Sequence, residues 1–359
     1  MPLRRRDPHS VIEDDPETMK TSIATANVDE AGGPRKRGLP VWLISNEFGL
    51  FLLLVLFCVL FGVLTPGFTS PFNLFAVTRT GTVNVLIGLA MMTVIVTGGL
   101  DLSVGAIGVA ASMMAGWLMQ DLALSVPVAV LGGVVTGGVL GLVNGQLIVR
   151  SGMHSFVVTL ATTSIFFGIM IILTHAQPFN LLPDSFGAVG LLRLGRWLSP
   201  MLLVSFALAA VLAYLYRLTD IGRQMLAAGA NPRAARLSGI AVGRVVTLCH
   251  ILAGLLAAIA AIALSMRNGA AIPSMAGNLG QDWLLPAFLA PVLGGVPLSG
   301  GRASVLGTVL GGLLVTVLNS GLLLLHIGAF WVQFSLGVIL LIAVLIDKAR
   351  LRVVSGMKG

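Results

Sequence analysis

The sequence predicts an all-α membrane protein of about ten transmembrane helices, with broken or short helices near 98–103 and 283–301. Three observations predict it. First, of 359 residues 56% are apolar and 10% charged, whereas a soluble domain carries about 25% charged residues and needs polar surface to cover its core. Second, the apolar residues gather into runs near 48–65, 82–98, 102–119, 123–149, 156–174, 197–216, 245–265, 283–294, 303–325 and 330–346. Most of these approach the roughly 20 residues that cross a bilayer. Third, there are 44 glycines, which membrane helices tolerate because small residues let backbones approach closely.

Along the chain, residues 1–40 are polar, with RRR at 4–6, EDD at 13–15 and RKR at 35–37. They read as a disordered tail rather than a cleavable signal peptide. Residues 41–350 form the membrane domain and 351–359 a second short tail. The run at 123–149 is long enough to tilt. The run at 283–294 is short and holds Pro286 and Pro291, which marks it as broken or re-entrant.

The formal charge of +8 would suit nucleic acid, but its distribution points to a membrane. With both termini placed in the cytoplasm, eighteen lysines and arginines fall inside and four outside (Arg79, Arg193, Arg196 and Arg267). Without the N-terminal tail the count is still eleven against four, the positive-inside bias. Cys58 and Cys249 each lie in an apolar run, where two thiols without a histidine cluster make neither a structural disulfide nor a zinc site. No metal site is expected. The longest outside loop is 175–196 and the main inside loop is 217–244. The latter contains NPRAARLSGI at 231–240. Asn231 is a good N-cap, Pro232 suits the first helical position and Gly239 can end the helix in the left-handed region. A short helix outside the bilayer results, whose Arg233 and Arg236 could rest on anionic lipid.

Four signals carry function. GGLDLSVG at 98–105 is echoed by GGVPLSGG at 294–301. Paired glycines (Gly98, Gly99; Gly294, Gly295; Gly300, Gly301) permit tight breaks, Ser103 or Ser299 can cap the following helix, and Gly105 closes the first motif. Broken helices at matched positions are a feature of transporters. Asp101 is a carboxylate between two apolar runs, where a charge is functional by default; here it reads as a helix cap at the membrane interface. Gly133, Gly137, Gly141 and Gly145 fall every four residues, and Ala303, Gly307 and Gly311 repeat the spacing, as close-packed helices require. The last signal is what the sequence lacks: the middle of the spans holds no acidic residue and no phosphate-binding GxxxxGK[ST] loop occurs, so ATP, if it drives this protein, binds another chain. Asn84, Thr93, Asn144, Thr159, Thr162, Thr163 and Asn319 supply uncharged polar groups inside the spans, and Phe166 an aromatic face. That set could line a path for a sugar, or serve helix-to-helix hydrogen bonds.

At GGLDLSVG, NPRAARLSGI and LGGVPLSGGRASVLGTVLGG (293–312), the chain resembles the ribose/galactoside-type permeases of bacterial ABC importers; GLVNGQLIVRSGMHSFVVTLAT (141–162) is similar to the same family. The resemblance covers about 45–347. It implies a multi-pass protein of the bacterial inner membrane that works as a homodimer or a pair of related permeases. It also implies a cytoplasmic ATP-binding subunit that holds ATP and Mg, so that this chain needs no cofactor, and an extracytoplasmic sugar-binding protein. The coupling loop to the ATPase would fall on Gly222 to Gly239, with Gly222, Arg223, Gly229, Asn231, Arg233, Ala235, Arg236, Leu237 and Gly239 as its residues. Departures from the family are Val296-Pro297 before LSGG, Ala303 where glycine is common, and Pro286 and Pro291. Pentose, hexose, deoxysugar or polyol all fit. A secondary transporter needing no ATPase shares broken helices and weak repetition, although the lack of intramembrane carboxylates counts against it. A membrane-embedded enzyme would need clustered nucleophiles, metal ligands or paired carboxylates, and the sequence has none.

Overall fold

A computed structural model describes residues 46–326, 328, 330–341 and 345; the two tails, 1–40 and 351–359, lie outside these. The helices are α1 (Asn46–Leu64), α2 (Pro71–Ile95), α3 (Val104–Gln120), α4 (Val126–Ser151), α5 (Ser155–Thr174), α6 (Asp184–Leu191), α7 (Pro200–Leu218), α8 (Asp220–Ala230), α9 (Pro232–Leu237), α10 (Val242–Asn268), α11 (Leu284–Leu293), α12 (Val305–Leu324) and α13 (Phe330–Leu341). A 3-10 turn over Asn278–Trp283 leads into α11. Each of the ten apolar runs coincides with a helix. Seven of these are long and apolar enough to cross a membrane, while α3 and α13 are shorter and α11 has only ten residues. No sheet occurs among the described residues.

Two helices form the centre. α10 packs against α4, α2 and α3, and α2 also against α11 and α12. The apolar core follows this arrangement, running from Leu86–Ile95 of α2 through Val104–Met113 of α3 to Ala253–Ala261 of α10. α1, α4, α5 and α7 turn long apolar faces outward, with Val63, Leu131, Ile172 and Val211 among the exposed side chains. Faces of this extent are stable against lipid, not water.

Three rungs of the glycine ladder, Gly137, Gly141 and Gly145, form the contact between α4 and α10, while Gly133 lies first against Ala111 of α3. A methyl on Gly137 would lie 2.5 Å from the Gly254 carbonyl oxygen, and one on Gly145 would lie 2.6 Å from Thr247 Cα. One on Gly141 would overlap the His250 carbonyl. The second ladder holds only in part: Gly307 and Gly311 press α12 onto Gly294 and Ala290, but Ala303 precedes the N-cap Ser304 and lies outside the helix. Pro286 and Pro291 do not break α11. Pro286 sits in its first turn and Pro291 inside it; the interruption is the 3-10 turn before Leu284.

Two helices escaped the sequence reading. α6 lies in the 175–196 loop, which is pinned at its base by an antiparallel bridge between Phe179 and Ala271. α8 fills the first half of the 217–244 loop. Thr219 caps it by accepting the Gly222 N–H at 3.1 Å, and its buried face carries Gly222, Met225, Ala228 and Gly229.

Gly141→Ala should destabilise the protein by about 1–3 kcal/mol, the usual cost of overpacking, because its methyl has only the α10 backbone to displace. Gly168→Ala, on an exposed face of α5 with nothing within 4 Å, should be neutral or stabilising by up to about 1 kcal/mol. Thermal unfolding of the two variants in one mild detergent checks the contrast.

Candidate functional site at the helix breaks

Two motifs that are separate in sequence, 98–105 and 294–301, meet at one end of the bundle, and the end of α8, just before the 231–240 motif, packs onto them. After α2 the chain stays helical only to Val96. The Val96 carbonyl then accepts the N–H of Gly301 at 2.8 Å, tying the 98–105 motif to the 294–301 motif. Gly98 and Gly300, both with positive φ, lie against each other: a methyl on Gly300 would be 2.6 Å from Gly98 N. Onto this bond packs Gly229, next to last in α8. A methyl there would overlap the Val96 carbonyl oxygen and lie 2.5 Å from Gly301 N. No side chain intervenes, so α8 touches both breaks backbone to backbone.

The same segment splits the residues predicted to couple to an ATPase into two classes. Gly222, Gly229 and Ala235 are buried against the bundle, while Arg223, Asn231, Arg233, Arg236, Leu237 and Gly239 are exposed. Leu237 is 91% exposed. Asn231 caps α9 as expected, accepting the N–H groups of Arg233 and Ala234 at 3.1 Å each. With six residues α9 has no stability of its own, so the cap and the buried Ala235 hold it. Arg223 pairs with Asp220 on the exposed side of α8.

From Gly99 the chain turns back into the bundle in a non-helical stretch to Ser103. Its backbone amides need partners there, and α5 supplies them. Ser155 Oγ accepts the Leu100 N–H at 2.8 Å, and Thr159 Oγ1 accepts the Leu102 N–H at 3.1 Å. Asp101 is fully buried, and Ser103, not Asp101, stands at the N-cap of α3. Asp101 Oδ1 accepts both the backbone N–H of Ser103 at 2.9 Å and the Ser103 hydroxyl. Ser103 occupies the N-cap position of α3 without making a side-chain cap bond, because its hydroxyl proton goes to Asp101 while its oxygen accepts Asn144 Nδ2 at 2.7 Å. Ser299 does not cap α12 either; Ser304 does, accepting the Gly307 N–H at 3.1 Å.

α3 therefore starts deep in the bundle. A methyl on Gly105 would lie 2.6 Å from Gly280 Cα, and one on Gly108 would lie 2.8 Å from the Trp283 ring and 3.0 Å from the Ala257 carbonyl, near the middle of α10. The two discontinuities, before α3 and before α11, face each other at that level. Gln281 and Asp282 of the 3-10 turn are exposed there. The sequence reading placed them outside the spans, because the run they precede begins at 283; the glycine-flanked GNLGQDW (277–283) was the available signal.

Of the eight residues offered for a sugar path, six spend their polar groups inside the bundle. Asn84 Nδ2 donates to Thr316 at 2.9 Å, and Thr93 donates to the Ala90 and Cys249 carbonyls. Asn144 and Thr159 hold the broken segment, and Thr162 and Thr163 both donate to the Thr159 carbonyl. Phe166 lines an apolar cavity of about 400 Å³ with Met113, Trp117 and Met170, which offers hydroxyls almost nothing. Asn319 is half-buried near the end of α12. No cluster of metal-ligating side chains occurs among the described residues.

The family described as branched-chain amino acid transport system / permease component matches residues 73–345. The chain is 36% identical over 310 residues to the ribose import permease protein of Bacillus subtilis, covering 86% of this chain and 94% of that one. It is 31% identical over 341 residues to the L-arabinose ABC transporter permease protein of Azospirillum brasilense, covering 93% and 97%. It is 32% identical over 305 residues to the fructose import permease protein of Rhizobium meliloti, covering 83% and 84%. No solved structure matches the chain.

Gly229→Ala is expected to cost about 1–3 kcal/mol and to speed hydrogen exchange at the Gly301 amide, because the added methyl pushes α8 off the bond beneath it. Gly239→Asn, at an open position with positive φ that asparagine tolerates, should change neither. Thermal unfolding together with residue-resolved exchange separates the two.

Proposed function

Because the chain belongs to this family of transport-system permeases, we propose that it is the membrane-spanning permease subunit of an ATP-driven importer for a neutral monosaccharide or related polyol. The family description names amino acids, while the relatives named above import sugars. The sugar reading is preferred because those relatives align over at least 83% of this chain. A zwitterionic amino acid calls for paired charges at depth, and the one ion pair among the described residues, Arg223–Asp220, is exposed.

The observation that carries the mechanism is Gly229 seated on the Gly301–Val96 hydrogen bond. In this reading the α8–α9 segment faces the cytoplasm, both termini lie on that side, and a separate ATPase subunit grips its exposed face. Leu237 enters a groove of the partner, and Arg233 and Arg236 meet its acidic groups. Closure of the ATP-bound partner displaces α8, and α8 moves the two breaks together. A ligand shifts such an equilibrium only by binding the two states differently. ATP does so through the partner, and sugar through an extracytoplasmic binding protein that docks at the other end. The sugar crosses where the break before α3 faces the 3-10 turn before α11, a discontinuity distinct from the 294–301 loop that α8 contacts, as in transporters built on discontinuous helices. Gln281 and Asp282 offer it hydroxyl partners there. A second copy of this chain, or a related permease, completes the path.

Two experiments test the reading. Arg233→Glu with Arg236→Glu should abolish co-purification of the ATPase subunit and leave thermal unfolding of the membrane domain unchanged, since both side chains are exposed; intact assembly and transport would sink the docking scheme. Asp282→Ala should raise the KM for sugar uptake on the order of tenfold, as loss of a hydrogen bond from a charged group does, with assembly intact. An unchanged KM removes Asp282 from the path.

A further inference from the structure

The end of the bundle opposite α8 carries a group of arginines that the transport mechanism does not use. Phe75, buried in the second turn of α2, has the Arg193 guanidinium 4.4 Å from its ring centroid and that of Arg79 5.3 Å away. Arg79 donates to the Arg267 carbonyl at 2.7 Å, and Arg267 donates to Thr80 Oγ1 at 2.9 Å. Three guanidiniums from α2, the 192–199 turn and the last turn of α10 thus converge on one spot. Among the described residues no carboxylate pairs with any of them, and the Nε of Arg79 is buried without an acceptor. Three like charges held together, with a buried donor left over, call for an oxyanion, which guanidinium forks bind in bidentate fashion.

The surroundings indicate where that anion comes from. Arg79 is the ninth residue of a 25-residue apolar helix and Arg267 the last but one of a 27-residue one, so the cluster sits within the length of the spans, not beyond them. The adjoining turn reads Leu191-Leu192-Arg193-Leu194-Gly195-Arg196-Trp197, and all four of its large apolar side chains are exposed, Trp197 by 52%. The turn is fastened to α2 through Thr78, whose hydroxyl accepts the Ser199 N–H at 3.1 Å. Phe72, two turns before Arg79, is 76% exposed. Arginines interleaved with exposed leucines and aromatic rings are the pattern of a segment lying at the headgroup level of a bilayer.

We propose that Arg79, Arg193 and Arg267 form a binding site for the phosphate of an anionic phospholipid in the leaflet at this end, with the 191–197 turn resting among its acyl chains. The inference rests on the chain spanning a membrane, not on the sugar or the ATPase. The test is native mass spectrometry of the full chain released from vesicles of phosphatidylcholine with phosphatidylglycerol. Wild type should retain phosphatidylglycerol in preference to phosphatidylcholine. Arg79→Gln with Arg193→Gln should lose that preference on the order of tenfold. Should the double variant fold poorly, Arg193→Gln alone serves, because that side chain is exposed and makes no hydrogen bond among the described residues; it should still weaken retention. Equal retention by wild type and variants overturns the proposal. So does displacement of the lipid by millimolar inorganic phosphate, which would make this a site for a free anion. Unchanged lipid retention with weakened capture of the soluble binding protein also overturns it, in favour of an acidic protein surface as the occupant.

Discussion

The hydrogen bond from the Gly301 amide to the Val96 carbonyl joins two segments more than 200 residues apart, and Gly229 lies directly on it. Nothing larger than hydrogen fits at position 229 while that bond exists. The constraint fixes three things at once: where α2 stops, how the 294–301 loop folds over, and how closely α8 approaches the bundle. Backbone contacts of this kind have no side-chain rotamers through which to absorb a displacement. In the proposed mechanism a push on α8 is delivered to both loops through this bond.

The rest of the bundle divides into what stays and what can shift. α4 and α10 are locked by glycines on both helices, with Gly137 and Gly254 each meeting the other's carbonyl, and close packing of this sort is not continuously deformable. The stretch from Gly99 to Ser103, by contrast, is held by side-chain hydrogen bonds from Ser155, Thr159 and Asn144. Such bonds contribute about 1 kcal/mol each and can be exchanged one for another. A rigid pair of helices beside a polar-tethered broken segment suits the alternating access proposed above. Asp101 belongs to the tether: its carboxylate organises the turn into α3 and orients Ser103 toward Asn144.

Much of the fold was legible in the sequence. Ten apolar runs gave ten helices because hydropathy leaves a membrane segment few alternatives. The four-residue spacing from Gly133 to Gly145 announced a helix contact before its partner was known, and Asn231-Pro232 announced a helix start. α8 escapes a hydropathy reading because DIGRQMLAAGA is short, with three polar residues and two glycines among eleven; its helicity comes from Thr219 at one end and burial of Met225 on one face. From position alone, Ser103 or Ser299 can cap the helix that follows. Position could not reveal that Asp101 would claim one hydroxyl, or that Ser304 stands closer to the helix it caps. The meeting of Val96, Gly229 and Gly301 is tertiary and left no mark beyond the glycines themselves. The polar residues of the spans were visible, but their commitment to Thr316, Cys249 and Ser103 was not, and that commitment moves attention to Gln281 and Asp282.

The central claim is that α8 and the two breaks move as one body. Hydrogen–deuterium exchange on the assembled transporter tests it directly, with the ATPase subunit either empty or held in its ATP-bound state by a hydrolysis-deficient variant. The account predicts that nucleotide changes protection in 220–237, 96–103 and 294–301 together, while the α4–α10 contact from Gly137 to Gly145 stays constant. A change confined to 220–237, with both breaks unaffected, would contradict it.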